Sequence, residues 1–140
     1  MPQIYVYNRN IETHLNDANN YPIYRPNILG NPYTHIKDKK TKARFICSSR
    51  DESIRKYDEY FDIMYGANAE FTDIINEIYN KYKNGEDIYL ECYCKKYATD
   101  DIKVHNDEIL CHGDIIARKI KQKLLKEKLK NNIEYAKKRH

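Results

Sequence analysis

The sequence predicts an α/β fold: a small mixed or parallel sheet flanked by helices, closed by a long basic C-terminal helix. Three observations carry this expectation. Two short β-branched and aromatic runs, at residues 4–7 and 88–94, read as strands. Three stretches repeat apolar residues at helical spacing. The order is strand, loop, two helices, strand, helix, which suits layered helix and sheet.

Each element has its own warrant. Ile4, Tyr5, Val6 and Tyr7 follow Pro2 and make an opening strand. Residues 8–20 are rich in Asn and Asp and read as a loop. Residues 21–33 hold three prolines and Gly30, punctuation that no regular helix tolerates, so they form a shaped loop with a brief strand near Ile23 and Tyr24. Residues 37–42 are a charged, exposed connection, and residues 44–47 a short strand or turn. Ser49-Arg50-Asp51-Glu52 has the form of a capping box. Behind it Ile54, Tyr57, Phe61 and Met64 with Tyr65 recur at helical spacing, giving a helix over 50–65. Gly66-Ala67-Asn68 breaks it. Phe71, Ile74, Ile75, Ile78, Tyr79 and Tyr82 define a second helix, stopped near Asn84-Gly85. After the strand at 88–94, residues 95–106 are polar and loop-like. The last helix starts at Gly113-Asp114 and runs almost to the end. Its apolar stripe is Ile116, Ile120, Leu124, Leu125, Leu129 and Ile133, with lysines on the other faces. Residues 1–120 are expected to form one domain, and residues 121–140 a basic extension continuous with the last helix.

Composition narrows the function classes. A chain of 140 residues, 41% apolar and 33% charged, has room for one hydrophobic core. No run reaches the eighteen or so apolar residues of a membrane span, so no membrane role is expected. The first ten residues lack the basic and apolar regions of a signal peptide, which makes the cytoplasm the expected compartment. The 4 cysteines are then expected as thiols, metal ligands or core residues and not as disulfides. Tyrosine is used 14 times and tryptophan never, a skew that, with abundant Asn, Ile and Lys, reads as an AT-rich coding bias. The net charge of +4 is uneven: residues 121–140 hold eight Lys/Arg against two acids, or +6, leaving −2 on residues 1–120. Any electrostatic case for nucleic acid is therefore confined to the tail.

Several separated motifs resemble one family. Tyr24-Arg25-Pro26 and Leu29-Gly30-Asn31-Pro32-Tyr33 resemble its arginine and Gly-Asn-Pro signature. Ser49-Arg50-Asp51-Glu52 with Tyr57 resembles its helix start. Leu90, Cys92, Tyr93 and Cys94, followed by Cys111-His112-Gly113-Asp114-Ile115, resemble its C-x-C strand and CHGD ending. The family is domain of unknown function 4326, found in bacteria and phages, and the resemblance runs over residues 3–120 in the right order. It places the protein in a bacterial or host cytoplasm, or in a virion if phage-encoded. The chain departs from the pattern at Tyr24, where the family tends to have glycine, and at Tyr33 and Tyr93, which replace Phe and Trp. It also has a longer segment between Cys94 and Cys111. The resemblance brings no activity with it.

The residues themselves support four readings. In the first, a strand–helix junction binds a nucleotide-like anion. Gly113 and the start of the last helix offer backbone amides, Arg25 a forked donor, and Gly30 and Asn31 a rigid loop. Asp114 and His112 are then the candidate acid and base for hydrolysis or glycosyl transfer. In the second, Cys92, Cys94, Cys111 and His112 hold a structural zinc. In the third, Cys111 is a nucleophile activated by the helix start and His112. In the fourth the protein is a non-enzymatic accessory whose basic helix meets a protein or nucleic-acid partner. The first is the leading expectation, with Asp114 its central residue.

Overall fold

A computed structural model describes residues 2–8, 17–34, 45–46, 50–92 and 112–138. Its elements are β1 (Ile4–Asn8), β2 (Asn20–Pro22), β3 (Tyr33–Thr34), β4 (Phe45–Ile46), α1 (Arg50–Ala67), α2 (Ala69–Lys83), β5 (Ile88–Cys92) and α3 (His112–Lys138). The α/β expectation holds: among the described residues three helices accompany a small sheet whose strands are all parallel, in the order β1-β5-β2. Tyr33 and Thr34 pair with Phe45 and Ile46 in a separate two-stranded parallel sheet.

The register sorts the sheet into two faces, because alternate residues of a strand point to opposite sides. Ile4 pairs with Ile88, Val6 with Leu90 and Asn8 with Cys92; Tyr5 pairs with Tyr89 and Tyr7 with Glu91. Ile4, Val6, Ile88, Leu90 and Cys92 join one buried cluster with side chains from all three helices. The core therefore lies between that face and the helices. Tyr5, Tyr7, Tyr89 and Glu91 occupy the other face. There the Tyr5 and Tyr89 rings stack at 5.5 Å, and the buried Tyr7 hydroxyl donates to the Asn20 side-chain carbonyl across β5.

The helix corner follows the expected breaker. Tyr65 and Gly66 leave helical geometry, with Gly66 at φ 97°, a left-handed conformation that favours glycine. Asn68 then caps α2 by accepting from the Phe71 amide at 3.0 Å. α2 presents Phe71, Ile75, Ile78 and Tyr79 to the core, at the i, i+4, i+7 spacing of a single face. Each such side chain stabilises by about 1.5–3 kcal/mol on full burial.

β2 and β3 are the elements the sequence places differently: Tyr33 of β3 falls at the end of the stretch expected as loop. β2 spans Asn20–Pro22, just before the brief strand expected near Ile23 and Tyr24, and takes in a residue read as loop. Asn-Tyr-Pro has little strand propensity; pairing with β5 imposes the conformation, and Pro22 is tolerated on an edge strand. The Ser49 end of the capping box and residues 93–94 of the last strand lie outside the described residues.

α3 spans His112–Lys138, starting one residue before the expected Gly113-Asp114. Ile115, Ile116, Ala117 and Ile120 are buried, while Leu125, Leu129 and Ile133 are 59%, 53% and 55% exposed. Two of its lysines serve the body. Lys119 bonds Asp58 and Asp62, one turn apart on α1, the latter at 2.9 Å. Lys123 sits over the rings of Tyr65 and Tyr79, 5.0 and 4.7 Å from their centroids. Burial works against the charge on Lys119, but its hydrogen bonds to Asp58 and Asp62 prevail and raise its pKa. Farther along, Glu127 accepts from Lys83 at 2.6 Å and from the Tyr79 hydroxyl, joining α3 to α2.

Candidate functional site

Because β1, β5 and β2 are parallel, all three chain exits leave the same edge of the sheet. At that edge the backbone ladder continues one residue past β2, where the Ile23 amide donates to the Glu91 carbonyl at 2.8 Å. The loop that follows is a tight, self-bonded unit. The Tyr24 carbonyl accepts from the Asn27 amide and from the Asn27 side chain at 2.9 and 2.8 Å, and the Gly30 amide donates to the Asn27 carbonyl at 2.8 Å. The Arg25–Pro26 peptide is cis. A Cβ on Gly30 would stand 2.9 Å from the Asn27 carbonyl oxygen and 3.0 Å from the Arg25 nitrogen, so only glycine fits without moving backbone.

This loop is pinned to the first turns of α1. The Asn31 side-chain amide donates to the Ser53 carbonyl and hydroxyl at 3.2 and 3.0 Å. One turn later the Tyr57 hydroxyl donates to the Leu29 carbonyl at 2.7 Å. Ser53 and Tyr57 lie on one face of the helix, since i and i+4 are neighbours. Arg25 braces the loop from within, donating through Nη1 to the Asn31 carbonyl at 3.1 Å.

The start of α3 closes the cluster. His112, 7% exposed, donates through Nε2 to the Ile23 carbonyl at 2.6 Å. A carbonyl only accepts, so that contact puts a proton on Nε2. The His112 ring meets Tyr57 edge-on at 4.9 Å. Gly113 is buried beside it, and Asp114 is half-buried in the first helical turn, where a carboxylate suits the helix dipole. Arg25, Gly30 and Asn31 thus share one loop, and His112 is bonded to the beginning of that loop.

Of the proposed zinc ligands, Cys92 is fully buried in the core, its thiol donating to the Tyr7 carbonyl at 3.3 Å. Cys94 and Cys111, and with Cys111 the thiol-nucleophile reading, lie outside the described residues. Among the described residues no three His, Cys, Asp or Glu side chains come together as a metal would require. A groove of about 320 Å³ lies between the helices, lined by Phe61, Tyr65, Lys119, Lys123 and others, and none of the candidate residues reaches it.

Three residues of this region are not among the site residues expected from sequence: Ser53, Glu91, and Tyr57, which the sequence marks only through the helical repeat and the family-like helix start. Ser53 and Tyr57 show their part only once the loop is folded against α1. Glu91 is 1% exposed, and neither of its carboxylate oxygens has a hydrogen-bond partner among the described residues. The signal available was an acid between Leu90 and Cys92, in a strand otherwise composed of apolar and aromatic residues.

A family model described as a domain of unknown function, DUF4326, matches residues 7–122. The matched span takes in the loop, the start of α1, β5 and the start of α3. No curated protein and no solved structure matches the chain significantly.

Proposed function

The chain belongs to the DUF4326 family, and from that premise we propose that it binds a nucleotide-like anionic small molecule at the carboxyl edge of its parallel sheet. One observation carries this reading. Three segments distant in sequence, the 23–31 loop, the face of α1 holding Ser53 and Tyr57, and the start of α3, are knotted together at that edge. Open α/β sheets take their ligands there, outside the carboxyl ends of the strands. The start of α3 brings the positive end of a helix dipole to that edge. Arg25 is held to the loop and offers a planar guanidinium for a phosphate or carboxylate.

The chemistry that suits this set is hydrolysis or glycosyl transfer. Asp114 would act as the acid or base, with His112, whose ring orientation is fixed by the Ile23 carbonyl, as the second proton carrier. Thermal shift against nucleotides, NAD-type cofactors and sugar phosphates, repeated with Arg25→Ala, tests the binding step. A ligand that binds the native state raises Tm. A hit weakened at least about tenfold by Arg25→Ala supports the pocket, the loss expected of about 1.4 kcal/mol or more from a charged hydrogen bond. No stabilising ligand in any class would sink the reading.

A second reading has its own observation. Leu125, Leu129 and Ile133 are exposed along one stripe of α3, amid Lys126, Lys128 and Lys130. A protein or nucleic-acid partner on that helix is the alternative role, one that needs no pocket.

A further inference from the structure

We infer that Glu91 recognises the hydroxyl-bearing, ribose-like part of the ligand, its two carboxylate oxygens accepting from a vicinal diol. The inference rests on the anion-pocket reading and adds a substrate class to it.

The physical case begins with burial. Glu91 is 1% exposed and both of its oxygens lack hydrogen-bond partners among the described residues. Buried polar groups are almost always bonded, and an unsatisfied one calls for a cause. A carboxylate has only acceptors, so what it lacks is donors. The nearest hydroxyl in register, that of Tyr7 opposite on β1, is already given to Asn20. Left in this state, Glu91 weakens the ligand-free protein, as residues kept for binding commonly do.

Position supplies the rest. Glu91 immediately precedes Cys92, the last described residue of the middle strand, toward the carboxyl edge. Its carbonyl accepts from Ile23, and the Ile23 carbonyl accepts from His112. Glu91 is thus two hydrogen bonds from the proposed pocket along the backbone. Its side chain points to the face opposite the helices, alongside Tyr7. The electropositive components, Arg25 and the α3 start, suit a phosphate, whereas a carboxylate repels one. The ligand group that meets Glu91 must therefore bring donors and no negative charge. The hydroxyl pair of a ribose phosphate fits, and an acid near a strand end is a general solution for binding ribose.

The experiment uses the full chain, Glu91→Met, Glu91→Gln and three probes: ribose 5-phosphate, 2-deoxyribose 5-phosphate and inorganic phosphate. Calorimetry on the wild type should show ribose 5-phosphate bound at least about tenfold tighter than its deoxy analogue, since a site built for a hydroxyl rejects a ligand lacking it. Glu91→Met should abolish that preference without weakening phosphate binding, with Glu91→Gln intermediate in its preference. Without ligand, Glu91→Met should melt about 3 °C higher or more. A wild type indifferent to the missing hydroxyl, or a Met variant that keeps the preference, overturns the inference while the anion pocket stands. A Tm lowered by Glu91→Met also overturns it, because it reveals a structural partner. If none of the three probes binds the wild type, the pocket reading itself falls and this inference with it.

Discussion

Tyr57 serves two neighbours with one side chain. Its hydroxyl bonds the Leu29 carbonyl while its ring takes the edge of His112, so the loop, α1 and α3 all meet on it. Tyr57→Phe keeps the ring and removes the donor, leaving a carbonyl without its partner in a buried site. We expect a loss of about 1–3 kcal/mol in urea unfolding. Ser53→Ala should cost less, because the Asn31 amide keeps the Ser53 carbonyl. Equal losses from the two variants would contradict this assignment. At this scale the sequence was informative about positions and silent about partners. Gly30, Asn31 and His112 stand out by motif. That Asn31 reaches Ser53, 22 residues away, follows from tertiary packing that no local pattern encodes. Glu91 was hidden for the same reason, since alternation marks its neighbours and says nothing of what lies opposite its carboxylate.

Among the elements, the helices were the most legible. Their periodicity and breakers are local, so α1 and α2 fall within two residues of expectation, and the Gly66-Ala67-Asn68 corner sits where the breaker does. β2 was not legible, because three residues pair through a partner some seventy positions away. The lysines of α3 read only as lying off its apolar stripe, yet Lys119 and Lys123 are used against α1 and α2. The junction of α2 and α3 has a pH signature. Hydrogen bonds from Lys83 and Tyr79 hold the Glu127 carboxyl below its ordinary value of 4.5. Burial, then Glu127 itself, pushes the Tyr79 hydroxyl up to about 12, so it remains a donor. A depressed carboxylate contributes stability above its unfolded pKa and loses it as pH falls through the folded one. The junction should therefore stay closed from neutral pH down to about 4.5 and loosen only below that. A carboxyl NMR titration with amide exchange along α3 checks it; a Glu127 midpoint at or above 4.5 would contradict the contact.

At the scale of the whole molecule, the body and the end of α3 divide the two functional readings between them. Residues 129–134 are all exposed, and the last described contacts to α2 are made by Glu127. Removing residues 130–140 should leave Tm nearly unchanged and small-molecule binding intact, as measured by thermal shift. A truncated chain that still binds its ligand places the role in the body, and one that keeps its stability but loses function assigns it to the helix. The fold class was legible from element order alone. The strand order was not, since pairing of short parallel strands is settled only when the helices between them have packed.

That order has a consequence for how the protein is made. β1 and β2 come early in the chain but share no backbone pairing; β5, the last of the described strands in sequence, lies between them and pairs with both. A nascent chain that ends before residue 88 lacks both pairings with β5, so among the described residues β1 and β2 have no sheet partner while α1 and α2 emerge. Such long-range closure is slow and leaves strand edges exposed to other chains meanwhile. The sheet is thus completed only once β5 is available, and the position of Glu91 between its two neighbours is completed with it.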